Sequence, residues 1–136
     1  MNIQVESITL PHKALTNFEL IEACKELNVK NFKGVFMRDQ LPKRCTKNTC
    51  GILNLDDNSG SGTHWVCWFK KGPIKLYFDS YGLPPPKEIL TYLGKGVQYP
   101  TEQIQKAGVI CGHLCLFVLC RLSQGQDLQS IVNELY

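Results

Sequence analysis

Four residues of types that carry out acyl transfer stand along this chain in the order His64, Asp79, Gln105 and Cys111. A cysteine nucleophile needs a base to take its proton, an acceptor to orient the other ring nitrogen of that base, and donors for the oxyanion. Cys111 lies in "GVICGHLCLFVLC", residues 108–120, where Gly108 and Gly112 bracket a short apolar run and a longer apolar segment follows. A cysteine at such a junction can be a metal ligand, a packed thiol, or a nucleophile whose thiolate is favoured by a helix N-terminus. His64 offers the base and Asp79 the orienting acceptor. The backbone N–H of Cys111 and the side-chain amide of Gln105 are candidate oxyanion donors, and a neutral amide donates without titrating.

These residues need elements to hold them. "GTHWVCWFKKGPIKLYFDSYG" reads as two strands joined at Lys71-Gly72, with Pro73 ending the turn. Facing Trp68 with Lys75 and Val66 with Tyr77 brings His64 opposite Asp79, within the 4.5–5.5 Å Cβ spacing of paired residues. Alternation then gathers Trp65, Cys67, Phe69, Ile74, Leu76 and Phe78 on an apolar core face. His64, Val66, Trp68, Lys75, Tyr77 and Asp79 share the other face, where Trp68 and Tyr77 are expected either to wall a substrate groove near His64 or, the preferred reading, to cover the helix that begins at Cys111. A slip of one residue would separate His64 from Asp79.

The remaining elements are expected to frame this ribbon. In "LTNFELIEACKELNV", Thr16 and Glu19 form a capping box, with Leu15 and Leu20 as a hydrophobic staple. Phe18, Ile21, Cys24 and Leu27 make the apolar stripe of that helix. "NFKGVFMRDQLPKRCTKNTC" starts apolar and ends as a polar loop, and "GILNLDD" is a short strand. Asp56 and Asp57 fall in the turn that follows it. "SYGLPPP" is a stiff loop, "KEILTYL" a short helix behind Pro86, and "GVQYPTEQIQ" a further extended segment. Cys111 to Ser123 is a buried helix, and Asp127 caps a last helix carrying Leu128, Ile131, Val132 and Leu135.

The 136 residues read as one domain, 1–136, large enough to build a core without disulfides or metal. No apolar run reaches the roughly 18–20 residues that span a bilayer. The N-terminal residues lack a signal-peptide pattern, so the expected location is intracellular. Seven cysteines form an odd, irregularly spaced set, as befits thiols in a reducing compartment. The net charge of +3 says little about partners, and Lys43, Arg44 and Lys47 read as a solvated loop. A zinc site from Cys45 and Cys50 with Cys111, His113 or Cys115 has spacing at or beyond the usual range and no matching second pair. A disulfide between Cys45 and Cys50 is a further option. His113 reads as a cap or packing residue, and Cys67, Cys115 and Cys120 as core.

"GTHWVCWF", "YFDSYG" and "QKAGVICGHLC", over roughly residues 50–120, resemble the adenain-type and SUMO/ubiquitin-like-specific cysteine protease superfamily. There a Trp follows the His, an acid ends a strand, and a Gln stands a few residues before Cys-Gly; papain-like enzymes with the order Cys, His, Asn do not match. "NFKGVFMRDQLP" and "FDSYGLPPP" are similar to the short adenain-like proteases of viruses and of Polinton/Maverick-type mobile elements. The resemblance implies an α+β fold with a papain-like core, in which a small, mostly antiparallel sheet packs on the nucleophile helix. It implies a thiol endopeptidase with Cys111 as nucleophile, His64 as general base then acid, Asp79 as orienter and Gln105 as oxyanion donor. Trp65 and Gly112 match positions next to the reacting groups and are expected to meet substrate. No metal or cofactor is implied. A peptide or DNA activator follows from the resemblance alone. The expected task is processing of viral or mobile-element precursor proteins at Gly-containing sites, in the host nucleus or cytoplasm or inside the virion. The alternatives are removal of SUMO- or ubiquitin-like tails, and an inactive or zinc-stabilised protein-binding module.

Overall fold

The computed structural model describes residues 1–56 and 64–136, so Asp57 lies outside the described residues. Strands β1 (Asn2–Val5) and β2 (Ile8–Pro11) form an antiparallel ribbon. Helix α1 (Asn17–Glu26) follows, then β3 (Phe32–Met37), β4 (Asn48–Asn54), β5 (Trp65–Lys71) and β6 (Ile74–Phe78). These four strands make one sheet in the order β3-β4-β5-β6. Helices α2 (Lys87–Leu93), α3 (Cys111–Ser123) and α4 (Leu128–Leu135) complete the chain.

The local signals place their elements well. Thr16 accepts from Glu19 N–H while the Glu19 carboxylate accepts from Thr16 N–H, closing the capping box, and Leu15 and Leu20 are both buried in the main core. Asp127 accepts from Ser130 N–H at the start of α4. The stripe of α1 differs from the expected one: Leu20, Ala23, Cys24 and Leu27 are buried, and Phe18 is 77% exposed. A strict three-residue spacing drifts around a helix that turns about 100° per residue. Phe18 and Leu27 therefore end up on opposite sides.

The hairpin register also differs. Lys71 pairs with Ile74, Trp68 with Tyr77 and Cys67 with Phe78, two residues from the expected pairing. The turn is Gly72-Pro73, with Gly72 at φ 57°. Glycine at the first central position with positive φ is what a tight two-residue hairpin turn requires. An even shift preserves the faces, so His64 and Asp79 still share one side of the sheet, now diagonally. Ile74, at the turn, is exposed rather than core.

Both faces of the sheet are covered. On one, α3 lies against Ile52, Trp65, Cys67, Leu76 and Phe78, with α1, α4 and the β1–β2 ribbon around it. Leu116, Val118, Leu119 and Cys115 are fully enclosed there, which explains why this helix is apolar nearly all round. On the other face, Trp68 and Tyr77 pack with Leu53, Val66, Ile89 and Leu93 under α2. They therefore pack under α2 and do not cover α3, which occupies the opposite side. Cys50 belongs to the main core and Cys45 packs against the second cluster, so the sheet lies between them, and both are free thiols. Among the described residues no group of three or more His, Cys, Asp or Glu side chains is arranged to hold a metal ion.

β3 runs parallel to β4, a strand absent from the sequence reading of that segment. The crossover between them carries a 3₁₀ turn at Arg38–Gln40, and its Leu41 and Cys45 pack on the second cluster. The segment expected as a further extended stretch contributes only a bridge between Gln98 and Leu76. No helix among the described residues is long and apolar enough to cross a membrane.

Gly51 shows how tightly the second face is fitted. It pairs with Trp68, and a Cβ there would lie 2.3 Å from Trp68 Cη2 and 2.9 Å from the Gly34 carbonyl oxygen. Gly51→Ala must displace the indole or the neighbouring strand and is expected to cost about 3 kcal/mol, at the upper end of overpacking effects. Urea unfolding monitored by tryptophan fluorescence checks this. A change below about 0.5 kcal/mol would contradict the packing described.

Candidate active site

Cys111 is the first residue of α3, and the helix has no side-chain cap: Ile110 at the N-cap position offers no hydrogen-bonding group. The first N–H groups of the helix are therefore left for other acceptors. Trp65 N–H donates to the sulfur of Cys111 from β5 at 3.4 Å, and the Gly112 N–H adds to the field that lowers the thiol pKa. Cys111 is 6% exposed, with His64 at 9%.

His64 immediately precedes β5 and Asp79 immediately follows β6, so the last rungs of the hairpin bring them together. His64 Nε2 lies 2.7 Å from Asp79 Oδ1, and the imidazole and the Cys111 side chain are near enough to shift each other's titration. With Nε2 on the carboxylate, Nδ1 is the nitrogen left to face the sulfur. Asp79 Oδ1 accepts a second bond from Tyr81 N–H at 2.8 Å, and its carbonyl accepts from Gly82 N–H. The carboxylate is fully enclosed, and its partners fix its direction.

The electrostatics follow from this arrangement. Burial works against a charged imidazole, but the hydrogen bonds from His64 to Asp79 and Cys111 and the charges of both outweigh it. They hold the His64 pKa up at about 9. Burial likewise opposes a thiolate at Cys111. The His64 hydrogen bond, the Trp65 and Gly112 N–H groups and the imidazolium charge together bring its pKa below the usual thiol value. Both shifts favour the thiolate–imidazolium form of the pair over the neutral one. The other core thiols contrast with it. Burial pushes Cys50 up to about 12 and raises Cys24 and Cys115 as well, leaving them inert.

Gln105 comes to the same region on the segment between α2 and α3. Its backbone N–H donates to Ser80 O, its Oε1 accepts from Ser80 Oγ at 2.7 Å, and its Nε2 donates to Gly108 O at 3.0 Å. Among the described residues, one amide hydrogen remains uncommitted, on a side chain tied to the loop that leads into Cys111.

Trp65 and Gly112 are placed within the packing around Cys111. The Trp65 indole N–H donates to Leu15 O at 2.9 Å and little of the ring is exposed. A Cβ on Gly112 would stand 3.2–3.4 Å from Leu20, Trp65 and Leu15 side chains, so glycine lets the first turn of α3 settle against them. His113 is buried, with Nε2 on Pro11 O at 2.8 Å, which ties β2 to α3 and matches a packing role.

Two neighbours were not singled out by residue type. The Tyr81 ring stacks on His64, with centroids 4.5 Å apart and planes inclined by 22°, and shields the imidazole. Ser80 anchors Gln105. The only hint in the sequence was their adjacency to Asp79 in "DSYG".

The fold is α+β, with a small, mostly antiparallel sheet packed on α3, in agreement with what the adenain-like resemblance of the motifs implies. Among solved structures, the chain is similar to the crystal structure of the ASFV pS273R protease. The two share 19% identity over 93% of this chain and 63% of that one, with a TM-score of 0.63. The selenomethionine form of the same protease gives 17% identity, 93% and 64% coverage, and a TM-score of 0.64. This chain thus spans somewhat under two-thirds of that protein, and at such identities the likeness is one of fold. No protein-family model matches the sequence, and no curated protein does.

Proposed function

We propose that this protein is a cysteine endopeptidase. The observation that carries the reading is the single imidazole held between an enclosed carboxylate and the sulfur at the start of α3, with Nε2 to Oδ1 at 2.7 Å. In this reading the Cys111 thiolate attacks the scissile carbonyl. The oxyanion takes the free N–H of Gln105 and the N–H of Cys111. The His64 imidazolium gives its proton to the leaving amine, and a water activated by the same imidazole then hydrolyses the acyl-enzyme. Asp79 keeps the ring oriented throughout. The fold shared with a viral cysteine protease supports the class.

The proposed substrates are viral or mobile-element precursor proteins cut at Gly-containing sites, in the reducing interior of a cell. The test is a panel of candidate precursors, with cut sites mapped by mass and Cys111→Ala as control. Cuts next to glycine that vanish in the variant are expected. Cleavage confined to SUMO- or ubiquitin-like proteins ending in Gly-Gly would favour the deconjugating alternative, and an intact panel would overturn the reading.

The titration of the pair sets the pH dependence. kcat/KM for a cleaved peptide should rise with pH as Cys111 loses its proton below the ordinary thiol pKa, then fall as His64 loses its own near 9. A profile that begins to rise only above about pH 8, the region of an unperturbed thiol, would contradict the ion pair. The stability that His64 gains from its partners is full below its unfolded pKa of about 6.5. It is lost as pH rises through about 9.

A further inference from the structure

Asp79, Ser80 and Tyr81 are consecutive, and each reaches a different part of the site. Asp79 holds the imidazole and Tyr81 covers it. Ser80, which the proposed chemistry does not use, is 1% exposed and is given over to Gln105. Its carbonyl accepts from the N–H groups of both Ile104 and Gln105 at 2.9 Å, and its hydroxyl donates to Gln105 Oε1 at 2.7 Å.

The chemistry of the amide fixes what this does. At the nitrogen end stands the Gly108 carbonyl, 3.0 Å away, which can only accept, so Nε2 must face it. The oxygen end then faces Ser80, whose hydroxyl supplies the donor that a buried carbonyl oxygen needs. Of the two hydrogens on Nε2, Gly108 takes one, and the other has no partner among the described residues. Donation into Oε1 also polarises the amide and strengthens that free N–H as a donor. Without the hydroxyl, Oε1 is enclosed with no donor, and the soft terminal torsion of the side chain is held from one end only.

We propose that Ser80 is the positioning residue of the oxyanion site, holding the Gln105 amide by its oxygen so that one N–H of Nε2 stays aimed at the carbonyl under attack. This rests on the cysteine hydrolase reading above. Ser80 touches no reacting atom and acts through Gln105.

A double-mutant cycle tests it, using burst hydrolysis of N-acetylglycine p-nitrophenyl ester by the wild type, Ser80→Ala, Gln105→Ala and the double variant. Gln105→Ala is expected to slow acylation about 100-fold, and Ser80→Ala about tenfold with little change in KM. The double variant should match Gln105→Ala within about twofold, because a residue acting through the amide has nothing left to position. Alkylation of Cys111 by iodoacetamide, which builds no oxyanion, should proceed in Ser80→Ala within about twofold of the wild type. If Ser80→Ala costs the same factor in both backgrounds, or slows alkylation as much as acylation, Ser80 supports the fold at large and the proposal fails. A wild type that releases p-nitrophenol no faster than Cys111→Ala overturns the hydrolase reading itself, and an unaffected Gln105→Ala overturns the oxyanion role. Either removes the basis for Ser80.

Discussion

Cys111→Ala is expected to abolish peptide hydrolysis, and His64→Ala to lower kcat by a factor on the order of 10⁵. The size of the second effect comes from the double duty of one ring. His64 stabilises the thiolate before attack and protonates the leaving amine after it, and among the described residues no other imidazole stands by the sulfur. His12 is near the N-terminus, and His113 points its Nε2 at Pro11 O. The two duties can be separated. Iodoacetamide needs only the thiolate, so its rate at Cys111 in His64→Ala reports the lost ion pair without the leaving-group step. At pH 7 we expect Cys111 to alkylate faster than the other six cysteines in the wild type and to lose that lead in the variant. Burial raises the pKa of Cys24, Cys50 and Cys115, so peptide mapping should show them nearly unlabelled in both. Uniform labelling of all seven cysteines in the wild type would sink the assignment of Cys111 as nucleophile.

Asp79→Ala is expected to lower kcat/KM at pH 7 by roughly 10³ to 10⁴. Asp79 supplies a hydrogen bond and a charge that raise the His64 pKa against burial, which pulls it down. With the carboxylate gone, burial dominates, the ring stays neutral at pH 7, and Cys111 loses its cationic partner. The acid midpoint of Cys111 alkylation should therefore move to higher pH, toward that of an ordinary thiol. Asp79→Asn separates orientation from charge. Its side-chain oxygen can still accept from Nε2, so it is expected to fall between the wild type and the alanine variant. An alkylation midpoint unchanged in Asp79→Ala would mean that the carboxylate does not tune the pair, whatever happens to turnover.

The elements that the sequence determined by itself are those whose signals act within a few residues. The Thr16–Glu19 capping box and the Asp127 cap are satisfied by atoms in the same or the next turn, and the apolar run from Cys111 to Ser123 marks a buried helix by its length and composition alone. They appear where the residue types place them. The order His64, Asp79, Gln105, Cys111 named the side chains that the fold gathers, because acyl-transfer chemistry admits few residue types. The parity of the β5–β6 hairpin was also legible, since alternation keeps His64 and Asp79 on one face under any even shift.

Tertiary structure decided the rest. The register follows the Gly72-Pro73 turn, which takes His64 off the rung of Asp79, and the Tyr81 ring stacks on the imidazole. α2 covers the second face of the sheet, so Trp68 and Tyr77 became a core of their own, while the crossover after β3 made a parallel edge that no local pattern announces. Ser80 and Gln105 meet across 25 residues of chain. Contacts between distant segments depend on where whole elements come to rest against one another, and a residue's near neighbours in the chain carry almost none of that information.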